Sequence, residues 1–310
     1  MTVETTLVIP AYNESRRLAA GYERLADVLH AMDPERTEVI VVDDGSSDDT
    51  LSVAHRVYGH LPHARFLQQP VNRGKGAAVR LGISVATGAR VIATDADLSI
   101  RPRHFPEIAS ALDHCDLAPG SRVREGHVAY DSLLRTAAGR VFNLLVRHYT
   151  GTALRDTQCG AKGFRLGPAR VLGLLGFTDR FIYDAEMLFL AERLGLVVRP
   201  VDVTWDDVSG SSVRVGRDSL QMIRDLRNLG RTRYENPVVE LARDVDVAAV
   251  AEVARGARAT GLALARGADN ALVVLARDGS VGGLAVAQGL GGALRTASLE
   301  ELRGRSFEAV

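Results

Sequence analysis

Two runs of apolar, β-prone residues in this chain each end abruptly in paired carboxylates. Val39-Ile40-Val41-Val42 runs into Asp43-Asp44-Gly45-Ser46, and Val91-Ile92-Ala93-Thr94 runs into Asp95-Ala96-Asp97. In an open α/β sheet, ligands bind outside the carboxyl ends of the strands. Acidic pairs delivered to that edge suit a nucleotide and a divalent cation. Asp95 and Asp97 are hard oxygen ligands, matched to Mg²⁺ or Mn²⁺ bridging a diphosphate rather than to zinc. A third group, Asn72-Arg73-Gly74-Lys75-Gly76, sets two cations among glycines, as a loop near a diphosphate would. Each feature also has a plain structural use. Asp44-Gly45-Ser46-Ser47 has the composition of a turn, and Asp97 could cap a helix.

The elements needed to position these groups alternate along the first half. Strands are expected at 6–10, 38–42, 64–68, 90–94 and 116–120. Helices are expected at 15–32, after a cap at Asp48 or Asp49, at 76–86 and from Pro102. Single helices between strands imply a mostly parallel sheet with helices on both faces, an α/β fold. The middle is more helical, at 131–149, 168–175, 184–194 and 217–234, with one strand at 196–205. Asn236-Pro237 reads as a boundary, because the residue before proline is pushed out of the helical region. The expected division is therefore 1–236 and 237–310. The second part is a small α/β appendage rich in Ala, Gly, Val and Arg, with strand patterns at 245–250 and 271–276, a helix at 251–265 and another from Ser298. It carries no motif that points to chemistry. Dimerisation, capping of the sheet and partner binding all stay open for it.

Lys plus Arg and Asp plus Glu both number 38, so bulk charge points to no nucleic-acid partner. Two cysteines, Cys115 and Cys159, build no disulfide framework, and no Cys/His cluster has zinc spacing. The N-terminus shows no signal pattern, and no apolar stretch reaches the roughly 18 residues of a spanning helix. A cytoplasmic protein is expected. The helices at 131–149 and 217–234 carry apolar stripes edged with arginine, which suit either the core or the inner face of an anionic membrane.

Val8-Ile9-Pro10-Ala11-Tyr12-Asn13-Glu14, Val41-Val42-Asp43-Asp44-Gly45-Ser46, Asn72-Arg73-Gly74-Lys75-Gly76 and Asp95-Ala96-Asp97, in that order, resemble the family 2 glycosyltransferases of GT-A fold. Further on, Gly120-Ser121-Arg122, the Asp156-to-Phe164 stretch, Tyr183-Asp184-Ala185-Glu186 and the segment from Arg217 resemble the dolichyl-phosphate β-glucosyltransferases and bacterial polyprenyl-phosphate relatives. The likeness spans about residues 3 to 235.

The resemblance implies an inverting transfer of a hexose, glucose by analogy, from a UDP-sugar to a polyprenyl phosphate. It implies that Pro10, Ala11, Tyr12 and Glu14 contact the base and ribose. Asp43 and Asp44 join them, with Arg73 and Lys75 at the diphosphate. Asp95, Ala96 and Asp97 would face the metal and leaving group, and Gln158 and Asp156 the sugar. A phosphate monoester has a second pKa of about 6 and arrives largely dianionic, so it needs positioning cations rather than a general base. Arg122, Arg135, Lys162, Arg214 and Arg217 are the candidates. Asp184 or Glu186 would orient the sugar, or act as base toward a hydroxyl. Trp205 stacks on sugar or fills core. A same-fold enzyme with a soluble acceptor is the rival reading. A non-catalytic sugar-nucleotide binder fits less well, because Asp95, Asp97 and Lys162 are all present. A nucleotidyltransferase would need a glycine-rich loop where Pro10 to Glu14 stands.

Overall fold

The computed structural model describes residues 2–124, 127–128, 133–204, 206, 217–229, 236–240, 263–266, 272–275 and 293–309. Strand β1 (Thr5–Ala11) and β2 (Thr37–Asp43) are buried at every position, as strands covered on both faces must be. Between them lie α1 (Ser15–Ala20) and α2 (Tyr22–Met32). Next come α3 (Thr50–Tyr58), β3 (Ala64–Gln68), α4 (Lys75–Val85), β4 (Arg90–Ala93), α5 (His104–Ala111) and β5 (Leu117–Ser121). Short strands β6 (Val123–Arg124) and β7 (His127–Val128) pair with each other. The chain continues through α6 (Leu133–Thr150), β8 (Lys162–Arg165), α7 (Leu166–Leu175), α8 (Tyr183–Leu194), β9 (Val201–Asp202) and α9 (Arg217–Leu229).

The main sheet has the order β3-β2-β1-β4-β8-β5-β9. Strands β1 to β4 are mutually parallel, while β8 runs antiparallel between β4 and β5. Side-chain alternation along the strands splits the core in two. Val8, Ile40, Val42 and Val91 pack toward α4, α7 and α8, whereas Leu7, Ile9, Val39, Val41 and Ile92 pack toward α2, α3 and α5. The amino edge of the sheet is closed by a satisfied polar cluster. Buried Glu38 accepts from Thr6 Oγ1 at 2.7 Å, Thr87 N at 3.0 Å and Arg65 Nη1 at 3.1 Å.

A second sheet is antiparallel, in the order β13-β10-β12-β11-β14. It is built from β10 (Asn236–Glu240), β11 (Ala263–Arg266), β12 (Leu272–Leu275), β13 (Ala293–Ala297) and β14 (Ser306–Ala309), with α10 (Leu299–Leu302) before the last strand. Ala265, Leu299, Leu302 and Phe307 pack in the same apolar cluster as Leu172, Leu175 and Leu188. A Cβ on Gly167 would come within 2.1 Å of the Phe307 carbonyl oxygen, so only glycine lets α7 approach β14 this closely.

Several sequence expectations are corrected. The 15–32 helix is two helices broken at Gly21, where a Cβ would lie 3.0 Å from the Arg17 oxygen and 3.4 Å from that of Ala96. The 196–205 strand shrinks to β9, since only the end of β5 is left to pair with it beyond a single bridge at Val198. Asn236-Pro237 opens β10, a strand of the second sheet, and its proline sits opposite Thr296. The end of the expected 251–265 helix is β11. The terminal helix stops after one turn, its Ser298 cap accepting from Glu301 N, and gives way to β14. The expected strand at 271–276 corresponds to β12, while 245–250 lies outside the described residues.

Candidate active site

The parallel strands bring the chain from Ala11, Asp43 and Ala93 out at one edge. The antiparallel β8 starts there. Register pairs Lys162 with Ala93 on one side and with Pro119 on the other, so Lys162 stands between the Asp95 turn and the exit of β5 at Arg122. Two of the three non-glycine residues with positive φ among the described residues occur here, Asn13 at 54° and Leu98 at 46°. Such conformations persist only where the surroundings impose them. Asn13 is clamped between Ser46 Oγ, which accepts its N–H at 2.9 Å, and Ser47 N, which donates to its Oδ1 at 2.9 Å. Leu98 is locked in the core directly after Asp97.

Three cations at this edge are each paired with a carboxylate. Lys75 Nζ lies 2.6 Å from Asp95 Oδ1. Lys162 Nζ lies 2.6 Å from Asp184 Oδ1 and donates to the Cys159 carbonyl at 2.6 Å. Arg122 grips Asp156 in a fork, Nε to Oδ2 at 2.8 Å and Nη2 to Oδ1 at 3.0 Å. Burial pushes the Asp95 carboxyl up, but Lys75, Lys162 and Arg122 together outweigh it and hold the group below its ordinary range. Asp97 goes the other way. Burial first and the Asp95 charge second raise it, and Ser99 N donating to its Oδ1 at 3.1 Å only partly compensates. Glu14 is raised for the same reasons, chiefly burial and then the charges of Asp97 and Asp95. Of these three carboxylates, Asp95 is answered by Lys75 and Glu14 by Arg17 at 3.0 Å, so Asp97 carries the negative charge that a further cation would relieve.

That donor set fits a hard divalent ion. Among the described residues no third His, Cys, Asp or Glu closes a cage around Asp95 and Asp97. A Mg²⁺-type ion held by one or two carboxylates keeps its other positions for water and substrate phosphate.

Other predicted residues divide by what they touch. Asp44 is turned inward: Gln69 Nε2, Asn72 Nδ2, Arg73 N and Gly74 N donate to its two oxygens at 2.7 to 2.9 Å. It builds the loop that carries Lys75 rather than offering an oxygen to a ligand. Burial raises its carboxyl against those donors. Asp43 accepts from Ser46 N and Gln68 Nε2, fixing the turn after β2. Pro10, Ala11 and Ala96 are buried backbone supports, and Tyr12 is exposed beside them. Arg73 reaches Asp179 at 3.1 Å, and Gln158 N donates to Asp156 Oδ1 at 3.1 Å. Glu186 is a brace. Buried, it accepts from Phe177 N, Thr178 N and Thr178 Oγ1 at 2.5 to 3.0 Å. Those three donors tie both of its oxygens to the segment before α8. Asp184 is in the first turn of α8, behind an Ile182 cap, so it is not itself the cap. Arg135 lies in α6 and Arg217 opens α9; Arg214 and Trp205 lie outside the described residues.

The fold brings three further residues to the site. The Tyr183 ring lies 5.6 Å from Lys75 Nζ, Asp179 binds both Arg73 and Arg80, and Gly160 abuts Asp95. Tyr183 is legible as the neighbour of Asp184, but Asp179 and Gly160 carry no local signal.

The fold is of the GT-A class, here an open, mostly parallel sheet with acidic and basic side chains gathered at its carboxyl edge. Among solved structures, glucosyl-3-phosphoglycerate synthase from Mycobacterium tuberculosis, in complex with Mn²⁺, UDP and glucosyl-3-phosphoglycerate, aligns with a TM-score of 0.51 at 21% identity, over 73% of this chain and 78% of that one. Residues 6–173 match the family described as glycosyl transferase family 2, and the chain belongs to that family. It is 36% identical over 241 residues to a dolichyl-phosphate β-glucosyltransferase of Drosophila melanogaster, covering 73% of this chain and 74% of that protein. The human dolichyl-phosphate β-glucosyltransferase is 33% identical over 252 residues, 75% of this chain and 76% of that one. The protein is a glycosyltransferase.

Proposed function

We propose that this enzyme transfers glucose from UDP-glucose to a polyprenyl phosphate, with Mg²⁺ or Mn²⁺ held at Asp97 and Asp95. The carrying observation is the buried Lys162–Asp184 pair at 2.6 Å. Asp184, the carboxylate read as a base toward a hydroxyl acceptor, is engaged by a lysine. A phosphate acceptor needs none, since it attacks C1 of the sugar as a dianion while the C1–O bond to UDP breaks. The names of the relatives support the lipid phosphate as acceptor and glucose as the sugar. In this reading Lys75 and Arg73 meet the donor diphosphate, and Lys162 and Arg122 orient the acceptor. Asp184 and Asp156 hold those two cations in place. The divalent ion supplies positive charge to the leaving diphosphate. The test is incubation of the protein with UDP-, GDP- and dTDP-sugars, Mn²⁺ or Mg²⁺ and a short polyprenyl phosphate, read by mass spectrometry. A glucosyl lipid formed from UDP-glucose is expected. Product on soluble acceptors alone would refute the lipid acceptor.

We also propose contact with an anionic bilayer through the outer face of α6. Its inner face packs Phe142, Leu145 and Val146 against Ile182, Ala185 and Leu226, while Val141 and Leu144 are 59% and 66% exposed. Arg147, Arg224 and Arg227 are exposed on α6 and α9. None of the described helices is long and apolar enough to cross a membrane. Leu144→Glu is expected to lower binding to anionic liposomes about tenfold, since a buried leucine contributes about 1.5–3 kcal/mol. Unchanged co-sedimentation would remove α6 from the interface.

A further inference from the structure

Lys75 is badly placed for a helix and well placed for a substrate. It is the first residue of α4, where aligned peptide dipoles disfavour a cation and favour an anion. What holds it is Asp95: Nζ lies 2.6 Å from Oδ1, with the Tyr183 ring on its other side. The second oxygen of Asp95 is turned to Gly160, where an added Cβ would fall 2.0 Å from Oδ2. With Oδ2 set against Gly160, Oδ1 is the oxygen Asp95 turns to Lys75, and a divalent ion bound through Oδ1 would contend with Lys75 for it. An ammonium and a divalent ion on one carboxylate oxygen repel each other at close range, so each weakens the other's hold. Asp97, by contrast, is in no ion pair among the described residues.

We propose that Lys75 is the resident counter-ion of the metal site: it leaves Asp95 when a divalent cation binds and moves onto the donor diphosphate at the α4 N-terminus. This rests on the metal-dependent reading given above. The consequence is coupling. Without donor, Lys75 competes with the metal and weakens its binding. With donor, the diphosphate draws Lys75 away, so metal and nucleotide each strengthen the other's binding by the same factor. A lysine serving only as a fixed phosphate ligand would produce no competition in the nucleotide-free protein.

The test is Mn²⁺ binding to the whole chain without nucleotide, followed by the loss of the free-ion paramagnetic resonance signal, and then repeated with UDP. Lys75→Gln is expected to bind Mn²⁺ alone roughly tenfold tighter than the parent, and to lose most of the strengthening that UDP gives. Lys75→Arg keeps the cation and is expected to bind Mn²⁺ as weakly as the parent, giving a second, charge-conserving comparison. Arg17→Gln removes a nearby cation that pairs with Glu14 rather than with Asp95. Its gain should be clearly smaller. Unchanged or weaker Mn²⁺ binding by Lys75→Gln would overturn the exchange, and so would an equal gain in Arg17→Gln, which would signal only a general field. A parent protein that binds no Mn²⁺ even with UDP would instead sink the metal-dependent reading, and the exchange with it.

Discussion

Lys162→Met is expected to cost the protein about 3–5 kcal/mol of stability, the usual penalty for leaving one partner of a buried ion pair uncompensated. Lys162 is 1% exposed and Asp184 4%, so water cannot replace the lost ammonium. The Cys159 carbonyl loses its donor at the same time. For a protein of this size the melting temperature should fall by on the order of 10 °C. Replacing both partners, Lys162→Met with Asp184→Leu, should recover most of that loss, because an apolar pair of similar volume removes the stranded charge. Glucosyl transfer should be lost in the single and the double variant alike, since the lysine proposed to orient the acceptor is gone from both. Thermal melts and turnover measured side by side separate the two roles. A single variant that melts within about a degree of the parent would show that the pair is not integral to the fold. A double variant that regains turnover would show that Lys162 does not serve the reaction.

The legibility of this site in the sequence follows the same division between local and long-range causes. Strands β1, β2 and β4 announce themselves because parallel strands buried on both faces need unbroken apolar runs, and the acidic residues that end them are adjacent in sequence. Residue order alone therefore assigns the motif loops to one edge of the sheet. It does not reveal strand β8, because Lys-Gly-Phe-Arg has no strand pattern of its own. That segment becomes a strand by filling the slot between β4 and β5. Its insertion also decides the pairing of charges. Lys75 with Asp95, Arg122 with Asp156 and Lys162 with Asp184 are partners across 20 or more positions, set by register rather than spacing. Asp44 and Glu186 depart from their expected roles for a related reason. A carboxylate type shows that an acceptor is wanted, but only the fold shows that the protein's own backbone and side-chain donors have already taken it. The C-terminal strands illustrate the limit furthest from the site. Their short Ala-, Val- and Arg-rich runs leave several roles open in the sequence, and only the fold brings Phe307 and Leu302 into the core around α7 and α8.

Asp97→Asn is expected to move stability and activity in opposite directions. In the folded protein, burial and the charge of Asp95 raise the Asp97 carboxyl above its ordinary value. A carboxyl raised in this way favours the folded state below its unfolded pKa, and that contribution is lost as pH rises through the higher folded value. At neutral pH the ionised group is therefore a net burden on the metal-free fold. Asparagine keeps the shape and the oxygen that accepts from Ser99 N while removing the charge. The melting temperature of the metal-free protein at pH 7 should rise, and the gain should shrink at an acidic pH below the raised folded value, where the parent is protonated as well. Turnover with UDP-glucose should fall about a thousandfold or more, because the diphosphate leaving group loses the charge that stabilises its departure. Addition of Mn²⁺ should then stabilise the parent against heat but leave the variant unmoved, since binding to the folded state alone raises its stability. Melting curves at the two pH values, with and without Mn²⁺, decide the matter independently of any activity assay. A variant less stable than the parent at pH 7 would mean that Asp97 is a structural anchor. One that retains its Mn²⁺-dependent shift would place the metal on other residues.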